Sequence, residues 1–398
     1  MHGMRRTIPR SARRAPVKSE PAPASSKTFS TTEPNRYVPD FNAKANETAS
    51  EMPLVAKHPQ PQMITPPLIT VTSAAQNCIR WLPNVSEDAV GVIGSGDGEN
   101  DFLTFYSVTA KEELDYKSIV EVAHEGKVNK ISVTDEGQVY TASSTGSVYT
   151  ISGLDPHKKT LHKICDIEKF GKPESVSSVA SSAIGLVAAG VHGSLMIIDN
   201  NTGQVSSLQF DEVGFRDLIS VDERGTEIVT AGCDIAVWDV RSGDRTDLIH
   251  PGKCVATCVG IDPGQPHFVM GGMRNGELAI WDRRSDSLPF NRIGLHSGPI
   301  WDLGVVSSSR AGMLLSCGED GNVNLVDFTK AGDRGGFGSI EQAFCDQGEF
   351  WRAGLSLADI TSVTREALAV NSVNSHRSAA LFAYATDGGV LGFGNLSS

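Results

Sequence analysis

Apolar and polar residues alternate in short runs between Leu68 and Phe393, and the runs recur in groups of three joined by glycine-centred turns. Two groups stand back to back: FVMGGMRNGELAIWDRR at 268–284 and MLLSCGEDGNVNLVDF at 313–328. Each is preceded by another alternating segment, Cys254–Ile261 and Pro299–Val305. A period of two sustained over such lengths predicts strands, and Gly276 and Gly321 sit where a hairpin turn asks for positive φ. A unit of this kind has an apolar face on each side of its sheet, so it must be covered by neighbours of its own kind.

Further groups can be placed along the chain. Ala75–Trp81, Val90–Ile93 and Asp101–Val108 form the first. Val128–Val133, Val139–Ser143 and Val148–Ile151 form the second, and Val176–Ala180, Gly185–Ala189 and Leu195–Asp199 the third. Arg216–Val221, Glu227–Ala231 and Asp234–Val240 make the fourth, and the two groups above are the fifth and sixth. Ala367–Val373, Ser378–Tyr384 and Gly389–Phe393 make a more irregular seventh. Tyr106, Ile151, Ile198, Trp238, Trp281, Val326 and Phe393 are taken as equivalent third-strand positions. Five of their separations fall between 40 and 47 residues and the last is 67, the spacing of WD-type blades with one excursion. The pattern predicts an all-β fold, a seven-bladed WD40-type β-propeller. Phe393 leaves little chain for an outer strand in the last blade, so Leu68–Val71 is expected to supply it and close the ring against a bare edge.

Charge divides the 398 residues unevenly. Eight Arg and Lys against two Glu fall within residues 1–36, whereas the whole chain carries −12, which leaves about −18 for the remainder. Pro, Ser, Thr and Ala fill the same region without apolar periodicity, so residues 1–63 are read as a disordered basic extension and 64–398 as the propeller, including an interblade insertion at 329–366. The run RRTIPRSARR at 5–14 suits an import signal, a nucleic-acid contact, a solubilising tail or a mitochondrial presequence. An acidic body does not suit DNA backbones, so nucleic acid would be reached only through this tail. The seven cysteines have no spacing typical of a secreted scaffold, and no apolar run reaches 18 residues. A soluble, intracellular chain without membrane insertion is expected.

Chemical constellations are few. His296, Ser316 and Asp320 have the spacing of the buried polar network of a WD blade, with His on the inter-blade turn, Ser on the second strand and Asp at the next hairpin. Such a network is structural, because each polar group in a dry place needs a partner. As a hydrolase triad it lacks an exposed nucleophile and a Gly-x-Ser-x-Gly elbow. Cys254 and Cys258 share a strand face but have no convincing second ligand pair, Cys233 and His250 being irregularly placed for zinc. GSGDGEND at 94–101 lacks the calcium-loop spacing, and VGIDPGQP at 259–266 lacks a phosphate-loop lysine. No enzyme activity, cofactor or metal is expected.

What remains is binding. WDVR at 238–241 and WDRR at 281–284 repeat Trp-Asp-x-Arg, placing Arg241 and Arg284 where they could pair with a partner's carboxylates. This pattern resembles the one by which WD-repeat substrate receptors dock on the adaptor of cullin-type ubiquitin ligases. The excursion carries Phe344, Phe350, Trp351 and Leu355 among polar residues. A long insertion with aromatics covers either the propeller's own side or a partner, so Phe350 and Trp351 are candidate interaction residues.

The propeller also resembles the small WD-repeat nucleoporins of the nuclear pore's Y-shaped scaffold complex, close to this chain's own 42.4 kDa. The resemblance rests on TASSTGSV (141–148), VAAGVHGSLMIID (187–199), TAGCDIAVWDVRSG (230–243), FVMGGMRNGELAIWDRRS (268–285), GLHSGPIWDL (294–303), LLSCGEDGNVNLVDF (314–328), LAVNSV (368–373) and ATDGGV (385–390), in that order. It implies a non-enzymatic propeller held by helical scaffold nucleoporins at the nuclear envelope, with a role at kinetochores in animals. The basic extension and Val326, in place of Trp, depart from the family pattern.

Overall fold

A strand that is apolar on both faces has to be covered twice, and a ring of sheets covers every face without leaving an end. In the computed structural model, residues 67–396 are described except for 84–87, 97–100, 111–112, 153–157, 200–201, 211–213, 222–224, 286–287, 307–311, 330–350 and 352–357. The expectation for residues 1–63 lies outside the described residues. Among the described residues the strands form seven four-stranded antiparallel sheets and one two-stranded hairpin. The inner strands of the blades are Gln76–Trp81, Val128–Val133, Val176–Ser182, Asp217–Ser220, Ala256–Ile261, Ile300–Val306 and Val370–Ser375. Each lies against the next, and the last lies against the first, so the blades form a closed ring around one axis.

The closing strand is the one expected. Leu68–Val71 pairs with the last strand, Leu68 opposite Phe393 and Val71 opposite Val390, and becomes the outer strand of the seventh blade. Thr72 extends the zipper, its N–H donating to Gly389 O at 2.8 Å and its hydroxyl to the same oxygen at 2.9 Å. Leu68 also packs on the buried Leu391 and Phe393.

Among the described residues, buried side chains gather into seven clusters, one at each junction between blades. Trp238 serves the junction of the third and fourth blades and Trp281 that of the fourth and fifth. Burial of this kind, at about 25 cal/mol per Å² of apolar surface, is the main favourable contribution holding blade to blade.

Two expectations need correction. Val326 pairs with Leu314, and the matching rung of the seventh blade is Phe382 with Gly394, one residue beyond Phe393. A slip of one residue turns a strand side chain to the other face, so Phe393 faces the first blade instead of the sixth. The aromatic volume comes from the second strand. A Cβ on Gly394 would stand 2.3 Å from the Phe382 ring, and one on Gly392 would stand 2.0 Å from that of Tyr384. The second correction concerns 329–366, expected between blades. Asp359–Arg365 pairs with Asn322–Asp327 as the outer strand of the sixth blade, so the excursion lies inside that blade, before its fourth strand. The expected groups also lacked outer strands such as Leu114–Ala123 and Thr160–Asp166, whose half-exposed faces weaken the apolar alternation.

Ring closure by Leu68–Val71 gives a direct expectation. A chain beginning at residue 74 should melt at least about 5 °C below one beginning at residue 66, as expected for a loss of a few kcal/mol in a domain of this size, and should aggregate through the bared edge. Equal midpoints in a thermal scan of the two purified chains would contradict the closure.

Candidate protein-interaction surface and its axial support

The His296 network has the geometry of a support. His296 Nδ1 lies 2.9 Å from Asp320 Oδ1 and Nε2 lies 2.9 Å from Ser316 Oγ. Asp320 also accepts from the Ser297 N–H at 2.9 Å, the Asn322 N–H at 3.1 Å and the Asn322 side-chain amide at 2.9 Å. Burial would raise the Asp320 pKa, but these hydrogen bonds and the imidazole bring it to about 2. His296 is lowered, because burial disfavours its charged form more than Asp320 favours it. Ser316 is fully buried, so no substrate reaches its hydroxyl. Sequence reasoning missed Asn324, opposite Ser316 on the third strand, whose amide donates to Leu295 O at 3.3 Å and lies 3.4 Å from His296 Nε2. A shorter version stands in the second blade, where His124 Nε2 lies 2.9 Å from Thr141 Oγ1.

A larger polar system, also unforeseen, lies on the axis. One rung of every inner strand bears Cys78, Lys130, Ser178, Asp217, Cys258, Asp302 or Ser372. In six blades a register irregularity immediately precedes that rung. Bulges of this kind re-aim a side chain. Arg80, two residues along from Cys78, binds Asp302 through both terminal nitrogens at 2.9 and 3.3 Å and donates to Ser372 Oγ at 2.8 Å. Lys130 Nζ bridges Asp217 at 2.9 Å and Asp302 at 3.4 Å. The hydroxyl of Ser372 donates to Asp302 at 2.7 Å, that of Ser178 donates to Asp217 at 3.1 Å, and the Val259 N–H donates to Asp217 at 3.3 Å.

Two cations therefore balance two carboxylates, with partners drawn from all seven inner strands of the ring. Burial opposes the charge on Asp302, yet Arg80 and Lys130 outweigh it and hold the carboxyl at about 2. Burial likewise opposes the charge on Arg80 and Lys130, and the facing carboxylates raise both pKa values above the ordinary range. A cavity of about 500 Å³ opens beside the belt, and the ion-paired Asp135 and Arg377 are among the residues that line it. Among the described residues no cluster of three or more His, Cys, Asp or Glu is placed to hold a metal, and the buried thiols of Cys258 and Cys317 are pushed up in pKa by burial. Cys254 precedes the strand that carries Cys258 and is only partly buried.

The surface candidates fare unequally. Arg241 and Arg284 are exposed, but each is held by the Asp of its own motif. Arg241 lies 3.4 Å from Asp239, and Arg284 grips both oxygens of Asp282 at 2.9 Å. Arg283, between them in sequence and not singled out by the motif, ties the fifth blade to the fourth by gripping Glu227 at 2.9 and 3.1 Å. Of the two roles open to the insertion's aromatics, covering the propeller's own side or a partner, Trp351 takes the first, which removes it from the candidate interaction residues. It is fully buried, edge-on to Phe328 with centroids 5.1 Å apart, and its indole N–H donates to Asp262 at 2.8 Å. The Asn291 amide donates to Trp351 O at 2.9 Å. The excursion thus sends this aromatic into the propeller's own flank, between the fifth and sixth blades. Phe350 lies outside the described residues.

No family model matches the chain. The chain is similar to nucleoporin Nup43 of Homo sapiens, 24% identical over 283 residues that span 61% of this chain and 71% of that protein. The same figures hold for nucleoporin Nup43 of Mus musculus. A shorter likeness, 24% over 103 residues, joins 25% of the chain to 17% of ciliary dynein intermediate chain 3 of Heliocidaris crassispina. The chain fits a WD-repeat nucleoporin of about 43 kDa.

The axial belt sets a pH and mutational expectation. Removing one member of a buried ion pair leaves its partner uncompensated, at about 3–5 kcal/mol. Asp302→Asn should therefore lower the urea midpoint strongly. The folded pKa of about 2 lies below the unfolded carboxyl's value of about 3.9, so the contribution of Asp302 is present above about pH 4 and is lost as pH falls through 2. Urea titrations between pH 5 and 2 should show a shallower acid loss in Asp302→Asn than in the native chain. Parallel curves would contradict this role.

Proposed function

We propose that the chain is a non-enzymatic scaffold component of the nuclear pore's Y-shaped complex, held at the nuclear envelope by helical scaffold nucleoporins and supporting pore assembly and transport. The likeness to nucleoporin Nup43 across 71% of that protein's length carries the reading. The chemistry agrees with it: the polar networks are buried and saturated with one another, which suits a rigid body that works by presenting surfaces. Stable docking would use apolar groups and specific polar pairs on the propeller, while the Arg-rich extension would add a salt-sensitive contact with anionic partners. A mitotic role at kinetochores is part of the same proposal and rests on the family resemblance alone.

The ubiquitin-ligase reading asks Arg241 and Arg284 to reach an adaptor, and the geometry gives each guanidinium a carboxylate within its own motif instead. Tagged full-length chain should accordingly collect at the nuclear rim, and Arg241→Glu with Arg284→Glu should leave rim recovery within about twofold, because exposed charges contribute little to a dock elsewhere. A folded double variant that leaves the rim would place the scaffold contact on the Trp-Asp-x-Arg face. A native chain that never reaches the rim would refute the scaffold role.

A further inference from the structure

Most large apolar side chains are inside the ring, and one exception is held out on a backbone that resists it. Glu168–Lys169 and Lys172–Pro173 form a two-stranded hairpin on the connection from the second blade to the third, with Lys169 opposite Lys172. Its two-residue loop is Phe170-Gly171, at φ 55° and 73°. Two successive positive φ values make a type I′ hairpin turn, for which Asn-Gly is the favoured pair. A bulky residue in the left-handed region is a genuine outlier, and strain of this kind persists where the surroundings fix it and gathers at functional positions. Phe170 is also 89% exposed.

The base of the hairpin is locked. Ile167 is fully buried in the core between the second and third blades, and its N–H donates to Gly146 O at 2.7 Å. Across the hairpin, the Glu174 N–H donates to Ile167 O at 3.0 Å. The buried Glu174 carboxylate accepts from the His192 N–H at 2.5 Å and from the Ser194 hydroxyl, which fastens the hairpin to the adjoining turn of the third blade. Lys169 reaches back to His192 O while its ammonium lies 5.9 Å from the Phe170 ring.

We infer that this hairpin is a docking knob, with Phe170 entering an apolar pocket on a helical scaffold chain whose rim is acidic. The inference rests on the scaffold reading above and adds the surface. A preorganised aromatic with two χ angles contributes binding without a large ordering cost, and such anchors carry most of the energy of an interface. The partner's charge follows from the surroundings: Lys169 and Lys172 form one cross-strand pair beside the ring, and Glu168 belongs to the next pair, opposite Pro173, so the tip of the knob presents two cations, on a chain that carries about −18 over residues 37–398, and can meet carboxylates.

Phe170→Asn separates docking from folding, because it installs the pair that the turn prefers and removes the ring. The purified variant should melt at or above the native midpoint. Its recovery on nuclear envelopes, at equal expression of tagged full-length chains, should fall at least about tenfold, while Phe170→Trp should keep recovery near native. Envelope recovery of Phe170→Asn within twofold of native would overturn the knob and leave the scaffold reading standing. Absence of the native chain from the envelope would overturn both.

Discussion

Two carboxylates and two cations facing one another across the axis fix how the blades must meet. Asp217 and Asp302 are buried, and neither charge is tolerable without the Lys130 and Arg80 side chains that arrive from other blades. A blade shifted along its neighbour would strand a charge, whereas the apolar junctions alone would accept several offsets. The clusters between blades supply the bulk of the attraction, and the belt supplies register. The ladder of Leu68–Val71 on the last strand completes the ring.

A body built this way spends its polar chemistry on itself. His296, Ser316 and Asp320 satisfy one another, Arg283 ties blade to blade, and Trp351 is drawn into the flank by Asp262 and Phe328. What is left for a partner is geometry: a rigid rim of turns on which a few side chains are held in fixed positions. A rigid rim of this kind suits the proposed scaffold role, and on it a strained, exposed Phe170 is more informative about docking than the arginines of the Trp-Asp-x-Arg motifs.

The ring was legible where alternation was strong. Inner and middle strands declared themselves through runs such as VAAG and FVMGG, and the edge problem alone pointed to Leu68–Val71. Outer strands were obscured because one face is exposed, as in Leu114–Ala123. Phe393 misled because an aromatic is expected at the position where the seventh blade places Gly394 and fills the gap with Phe382. Asp359–Arg365 was hidden by the excursion before it. The axial belt did leave a trace, since Lys130, Asp217 and Asp302 interrupt apolar inner strands with charge. Their mutual pairing could not be read, because it joins residues up to 172 positions apart through a ring that only the closed fold creates. Phe170-Gly171 was silent for a related reason: a Phe before Gly gives no sign of left-handed backbone until the hairpin is seen.

If this propeller works in the pore's scaffold, as proposed, lysine-directed crosslinking in intact nuclear envelopes will show it in the partners that are joined. Crosslinks from the native chain should lead to helical scaffold nucleoporins of the Y-shaped complex, with Lys169 or Lys172 among the joined positions. A partner set dominated by a cullin-ligase adaptor, with scaffold nucleoporins absent, would contradict the scaffold role.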